Sequence, residues 1–197
     1  SLLAGRFNAF NLTVAIVATA SMGVSFAEII AVTQQLKPVP GRLEPVEMAS
    51  DITVVIDYAH TPDALYRAIT AVSEARHHGC IWVLFGCGGD RDRGKRSEMG
   101  AVAARLADRV VVTSDNPRGE PPEAIIQDIL AGCEGATPLV EVDRATAISL
   151  VIAKAAAGDT ILIAGKGHET YQEIAGARIP FSDVQCANHY LAQRRAA

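Results

Sequence analysis

The stretch Ile81-Trp82-Val83-Leu84-Phe85-Gly86-Cys87-Gly88-Gly89 decides how this chain is read. Its first five residues are apolar without alternation, which predicts a short strand covered on both faces. The glycines after it demand a sharp turn straight off the strand end. A strand buried on both sides belongs to a parallel sheet held between layers of helices. The flanking sequence repeats the theme. Ile52 to Asp57, Arg109 to Thr113, Leu139 to Val142 and Thr160 to Ala164 read as further strands. Between them lie helical segments: one opened by Thr61 as N-cap with Pro62 at the first helical position, then Ser97 to Leu106, Pro122 to Ala131 and Arg144 to Ala157. The pattern is α/β, a mostly parallel sheet with helices on both faces and right-handed crossovers. A hairpin-like stretch, Tyr171 to Ile179, and a helix from Asp183 to about Arg194 follow. Upstream, Asn11 to Met22 and Ser25 to Leu36 read as two helices, the second with Ser25 and Glu28 spaced for a capping box. Lys37-Pro38-Val39-Pro40-Gly41-Arg42 stops them and reads as a linker.

Composition narrows the function classes. Of 197 residues, 49% are hydrophobic, 20% charged and 5% aromatic, a balance that suits a core of small aliphatics rather than disorder. A net charge of −4 argues against nucleic-acid binding. The one basic cluster, Arg91, Arg93, Lys95 and Arg96, is interleaved with Asp90 and Asp92 and suits a small anion. The four cysteines, Cys80, Cys87, Cys133 and Cys186, form no C-x-x-C pair and no metal-ligand spacing, so they read as reduced core residues of a cytoplasmic protein. No run reaches the roughly 18 apolar residues of a membrane span. His77 and His78 read as a helix C-terminus complementing its dipole, and Trp82 as core. The sequence sets no oligomeric state.

In open parallel sheets ligands bind beyond the carboxyl ends of the strands. Asp57-Tyr58-Ala59-His60, Gly86 to Lys95, Asp115-Asn116-Pro117-Arg118 and Gly165-Lys166-Gly167-His168-Glu169 each follow a strand directly, which predicts one composite site. Arg118 can hold a carboxylate through paired hydrogen bonds and Asp115 an ammonium, with Pro117 stiffening the loop, so the set suits the end of an amino acid. The bland alternative is an Asx turn beside a solvated arginine. Gly165 and Gly167 permit close approach of a ligand, Glu169 suits an ammonium, Lys166 a phosphate, and His168 either proton transfer or structure. Asp57 and His60 suit a ribose or phosphate, or a helix-entry loop in which Asp57 accepts from backbone donors. No G-x-x-x-x-G-K-[ST] and no G-x-G-x-x-G is present, which disfavours a nicotinamide-binding protein.

With these loops goes a set of strings in order: Gly5-Arg6-Phe7-Asn8-Ala9-Phe10-Asn11, Pro40-Gly41-Arg42-Leu43-Glu44, Asp57-Tyr58-Ala59-His60-Thr61-Pro62-Asp63, Phe85-Gly86-Cys87-Gly88-Gly89-Asp90-Arg91-Asp92, Asp115-Asn116-Pro117-Arg118 and Gly165-Lys166-Gly167-His168-Glu169. Together they resemble the Mur ligase family across nearly the whole chain. The resemblance implies three domains, of which residues 1–42 would be the tail of the central ATP-binding domain with its linker. Residues 43–197 would be the Rossmann-like C-terminal domain that brings the amino acid. It implies ATP with Mg2+, a UDP-N-acetylmuramoyl dipeptide whose carboxylate is activated, and attack by the amine of meso-diaminopimelate in peptidoglycan synthesis. Arg91, Asp115, Asn116, Pro117, Arg118, Gly165 and Glu169 match the family's amino-acid contacts. Asn11, Arg42, Asp57 and, more loosely, His60 match its nucleotide contacts. The D-N-P-R string resembles that of diaminopimelate-adding members, because lysine has no second carboxylate for Arg118.

The P-loop, the metal-binding acids of the central domain and the UDP-binding domain have no counterpart in these residues. This chain by itself is therefore expected not to catalyse ligation. The helices up to Leu36 are expected to be the least ordered part of the chain, or to bury their apolar face in a second copy. Alternatives are a related Mur or folylpolyglutamate-type ligase adding another amino acid, and a non-catalytic binding module of the same fold.

Overall fold

The computed structural model describes residues 6–36, 39–76 and 78–196. The readings placed on Gly5, Lys37, Pro38 and His77 lie outside the described residues. Two helices come first, α1 (Arg6–Ser21) and α2 (Phe26–Thr33). Ser25 caps α2 as expected: its side chain accepts from the Glu28 backbone while Glu28 reaches back to Ser25. Phe10, Val14, Val17, Phe26, Ile30 and Val32 stand exposed on this helical arm.

The rest is an α/β sandwich. Strands β1 (Glu44–Pro45), β2 (Thr53–Asp57), β3 (Ile81–Phe85), β4 (Arg109–Val112), β5 (Leu139–Val140) and β6 (Thr160–Ala164) form one sheet, in the order β1-β2-β6-β3-β4-β5. All pairs are parallel except β1 with β2. The short antiparallel β1 is an element the sequence reading did not anticipate; two residues, one of them proline, carry no periodicity.

Alternation within the strands sorts the core into two layers. Ile81, Val83 and Phe85 of β3 pack with α3 (Pro62–Ala75), α4 (Gly94–Leu106) and α5 (Pro122–Leu130) on one face. Trp82 and Leu84 face α6 (Arg144–Lys154) and α7 (Asp183–Ala196) on the other. Trp82 is core, as read, and its indole N–H donates to Asp159 at 2.9 Å. Thr61 caps α3 through Ala64, with Pro62 in the first turn. Helix α4 begins at Gly94 rather than Ser97, because the glycine can enter the helix and the Asp92 side chain accepts from its N–H. Helix α6 ends at Lys154, before the turn at Gly158. Strands β7 (Tyr171–Ile174) and β8 (Ala177–Pro180) form the expected hairpin, its two-residue turn made by Ala175 and Gly176, both at positive φ.

The chain passes from β2 over α3 to β3, continues outward to β5, then returns by α6 on the opposite face to insert β6 between β2 and β3. One buried ion pair holds that return. Arg144, fully buried at the start of α6, bonds through Nε and Nη2 to both carboxylate oxygens of Asp183, also fully buried, at 2.8 Å each. It also donates to the carbonyls of Ser114 and Ala164, at the ends of β4 and β6.

Removing one partner of such a pair leaves the other charge buried and alone, at a cost on the order of 3–5 kcal/mol. Arg144→Ala is expected to lose about that much in urea unfolding. The double change Arg144→Met with Asp183→Leu is expected to lose less than Arg144→Ala, the remaining loss coming from the Ser114 and Ala164 carbonyls left without their donor. A single-variant loss under about 1 kcal/mol would contradict this assignment.

Candidate functional site

The parallel register brings the carboxyl ends of the central strands level: Asp57 lies opposite Ala164, Leu84 opposite Ile163 and Phe85 opposite Val112. The loops beyond them therefore meet at one edge. The Gly86–Gly89 turn and the Thr113–Pro117 segment lie against each other so tightly that a Cβ on Gly89 would collide with the carbonyl of Pro117. A Cβ on Gly165, which has φ +114°, would collide with the Asp115 carboxylate. These glycines exist so that the loops touch.

Asp115 and Asn116 are buried, and their surroundings are polar. Asn116 Oδ1 accepts from the Glu173 backbone and from Lys166 Nζ, both at 2.9 Å, and its Nδ2 donates to Glu169 Oε2 at 2.9 Å. Gln172 donates to the Asp115 carbonyl and the Ser114 hydroxyl, tying the hairpin to this loop. Burial pushes the Asp115 carboxyl above its ordinary range; the charges of Arg144 and Lys166 oppose that, and Glu169 and Asp183 add to it. Burial would also raise Glu169, but hydrogen bonds from Lys166 and Asn116, helped by the charges of Lys166 and Arg118, more than offset it and leave the group below its usual value.

Arg118 sits at the mouth, half-buried, with backbone φ +51°. That left-handed conformation costs an arginine about 1–2 kcal/mol. Its N–H donates to the Glu173 carbonyl, and its own carbonyl accepts from Ala175, so β7 and its turn hold it there. The guanidinium donates to the Gly89 carbonyl at 2.9 Å and lies 3.4 Å from Glu173 Oε2. A Cβ on Gly88 would come 2.8 Å from Arg118 Nη1 and 3.8 Å from Arg91 Cγ, so both arginines flank the same glycine. Arg91 is exposed, its one hydrogen bond being to the Asp90 carbonyl.

The basic cluster resolves unevenly, which corrects its reading as a common anion site. Arg96 is fully buried and pairs with Glu120 and Asp128, holding the Glu120 carboxyl down to about 2. Arg93 pairs with Asp128, and Lys95 donates to the His60 carbonyl. Acids from α5 and the segment before it, far along the chain, take up two of these cations, so adjacent sequence could not reveal the pairing. Arg91 alone of the four is exposed without an acidic or carbonyl partner on another loop among the described residues.

The residues assigned to a nucleotide part company. Arg42 stacks over the Tyr58 ring at 4.9 Å, and His60 and His168 flank that ring at 4.7 and 5.7 Å. Asp57 is spoken for: its two oxygens accept from the backbones of Leu43 and Ala59 at 2.8 Å each. That is the helix-entry role left open by the sequence, and burial raises its carboxyl despite both donors. Asn11 lies exposed on α1, with no hydrogen bond or ring contact joining it to the others among the described residues. Residues the sequence reading passed over are Arg144, Gln172 and Glu173. A cation at the first turn of α6, where the helix dipole disfavours it, was the one available signal for Arg144.

The described residues include no group of three or more His, Cys, Asp or Glu side chains placed to hold a metal, and no helix long and apolar enough to cross a membrane. All four cysteines are free.

A doubly covered parallel sheet with carboxylates and guanidiniums gathered beyond its strand ends defines an α/β domain of the open, ligand-binding type. The sequence matches the family described as "Mur ligase, glutamate ligase domain" over residues 41–167. The chain belongs to the Mur ligase family. It is 51% identical over 193 residues to the UDP-N-acetylmuramoyl-L-alanyl-D-glutamate–2,6-diaminopimelate ligase of Acidovorax sp. (strain JS42), a match covering 96% of this chain and 38% of that protein. A solved structure of a ligase of the same name superposes with a TM-score of 0.77 at 40% identity, covering 98% of this chain and 40% of that one. A Mycobacterium tuberculosis folylpolyglutamate synthase, complexed with ADP and AMPPCP, shares the fold: TM-score 0.64, 23% identity, 83% of this chain and 38% of that one. The chain thus spans about two fifths of the length of the relatives it matches.

Gly165→Ala places a methyl on the Asp115 carboxylate and an L-residue at φ +114°. We expect it to fold with about 1–3 kcal/mol less stability and with impaired ligand binding. Parental stability in denaturant and unchanged binding would refute the close-approach account.

Proposed function

We propose that this chain is the amino-acid-binding, C-terminal part of an ATP-dependent ligase that adds meso-diaminopimelate to UDP-N-acetylmuramoyl-L-alanyl-D-glutamate in cytoplasmic peptidoglycan synthesis. Residues 43–197 are the amino-acid domain, and residues 1–42 belong to the tail of the nucleotide-binding domain. The observation that carries the reading is the charge layout beyond the strand ends. Asp115 and Glu169 lie near enough to act on each other's charge and Glu169 bonds to Asn116, while Arg118 and Arg91 flank Gly88. That layout complements an amino acid whose far end bears both an ammonium and a carboxylate.

Arg118, with Arg91 beside it, meets the distal carboxylate. Asp115 and Glu169 receive the ammonium, Asn116 bridges the two, and Gly165 leaves the backbone open to the ligand. Pro117 fixes the loop so that the guanidinium is presented without a search over conformations. Lysine lacks the distal carboxylate and would leave Arg118 with only the Gly89 carbonyl and Glu173 as partners, which supports discrimination. The chain's own residues hold and orient the amine; ATP supplies the phosphoryl group that makes the acceptor carboxylate an electrophile. Arg42 stacked on Tyr58, with His60 alongside, offers a flat cationic surface suited to a nucleotide. Mg2+ finds no converging donor set among the described residues and is assigned to the part of the enzyme that holds the phosphates. The partners are meso-diaminopimelate and the UDP-muramoyl dipeptide, with no nucleic acid and no membrane.

Calorimetric titration tests this. meso-Diaminopimelate should bind, L-lysine should bind at least about 10²-fold more weakly, and Arg118→Ala should erase the difference. Equal binding of the two amino acids, or discrimination that survives in Arg118→Ala, would sink the substrate assignment.

A further inference from the structure

Lys166 has no role in the scheme above, yet its position is costly. It is fully buried, and an ammonium removed from water costs several kcal/mol unless it is well paired. Had packing been its purpose, a methionine would serve at lower cost. Its hydrogen-bond partners are Asn116 Oδ1 at 2.9 Å and Glu169 Oε2 at 3.0 Å, two side chains assigned to the amino acid. Its Nζ also lies 5.7 Å from the centre of the Tyr171 ring on β7, whose other cationic neighbour is Arg178 of β8, at 4.6 Å.

Those contacts constrain both partners. Lys166 and the Glu173 N–H are donors only, so the oxygen of the Asn116 amide must face them and its nitrogen must face Glu169. Glu169 Oε2 accepts twice, from Lys166 and from Asn116, which leaves Oε1 without a partner among the described residues. The acids around this point are Asp115 and Glu169, with Glu173 beside Arg118; the cations are Lys166, Arg118 and Arg144, the last already paired with Asp183.

We infer that Lys166 is a positioning residue for amino-acid recognition: it fixes which way the Asn116 amide faces and keeps Glu169 anionic, with one oxygen held and the other presented to the ligand ammonium. This rests on the assignment of Asn116 and Glu169 to the amino acid. The proposed coupling to Glu169 is measurable without any ligand. Burial opposes ionisation of Glu169, and Lys166 is the leading group that reverses it. Without that ammonium the carboxyl should titrate higher than in the parent. Glu169 would then need a higher pH to present its carboxylate to an ammonium.

The experiment follows the Glu169 side-chain carboxyl by carbon NMR across pH in the parent chain, Lys166→Met and Lys166→Gln. The glutamine variant keeps a donor near Asn116 in case methionine disturbs folding. The parent should titrate below the usual glutamate range, and both variants higher than the parent. meso-Diaminopimelate affinity near neutral pH should fall at least tenfold in the variants, with the loss shrinking at higher pH; lost packing alone would give no such pH dependence. An unmoved Glu169 titration in either folded variant, or an affinity within twofold of the parent, overturns the inference. A parent that shows the Glu169 shifts but ignores diaminopimelate refutes the substrate reading while supporting the Lys166–Glu169 coupling.

Discussion

The site depends on one interaction beneath it, the buried pair Arg144–Asp183. Few core contacts reach so many elements at once. From the first turn of α6, Arg144 holds the first residue of α7 and the carbonyls that close β4 and β6. The residues next in sequence to those carbonyls are Asp115 and Gly165. The pair thus sets the relative height of the two loops that must meet. It also adds a positive charge near the buried Asp115 carboxylate, partly offsetting the effect of burial. An apolar pair would fill the space, but it would leave two strand-end carbonyls without donors and Asp115 with less compensation.

The site is a set of charges held at short range by closely packed backbone. Arg118 keeps a left-handed conformation because β7 and its turn bond to its N–H and its carbonyl. Gly89 and Gly165 let two loops press against their neighbours where any side chain would intrude. Below the mouth, Arg96 joins Glu120 and Asp128, and the Asp90 N–H also donates to Glu120. The loop bearing Arg91 is therefore anchored at its base while Arg91 itself stays exposed. Anchoring the base and leaving the tip open suits a surface that must be in place before its ligand arrives.

Much of this was legible in the sequence, for a definite reason. Strands such as Thr160–Ala164 are buried on both faces, and apolar runs between turn residues record that directly. The loops after those runs inherit their position from topology, so four candidate loops at one sheet edge followed from strand positions alone. What stayed hidden depends on partners far apart in the chain. The burial of Arg96 rests on acids 24 and 32 residues away. The backbone duty of Asp57 involves Leu43, 14 residues earlier. Lys166 looked like a candidate phosphate ligand because nothing local shows that Asn116, 50 residues earlier, faces it. Short strands such as β1 leave no periodic trace. Family resemblance offered candidate contacts, but not which side chains lock the others.

Gly41 carries a last consequence. Its N–H donates to Glu44, and it lies so close to Gly167 and the His168 N–H that no side chain fits between them. Arg42, the next residue, lies over Tyr58, against which His168 also packs. The backbone at Gly41, between the helical arm and the sheet, therefore touches the loop that carries Glu169, so that any side chain at position 41 would displace that loop.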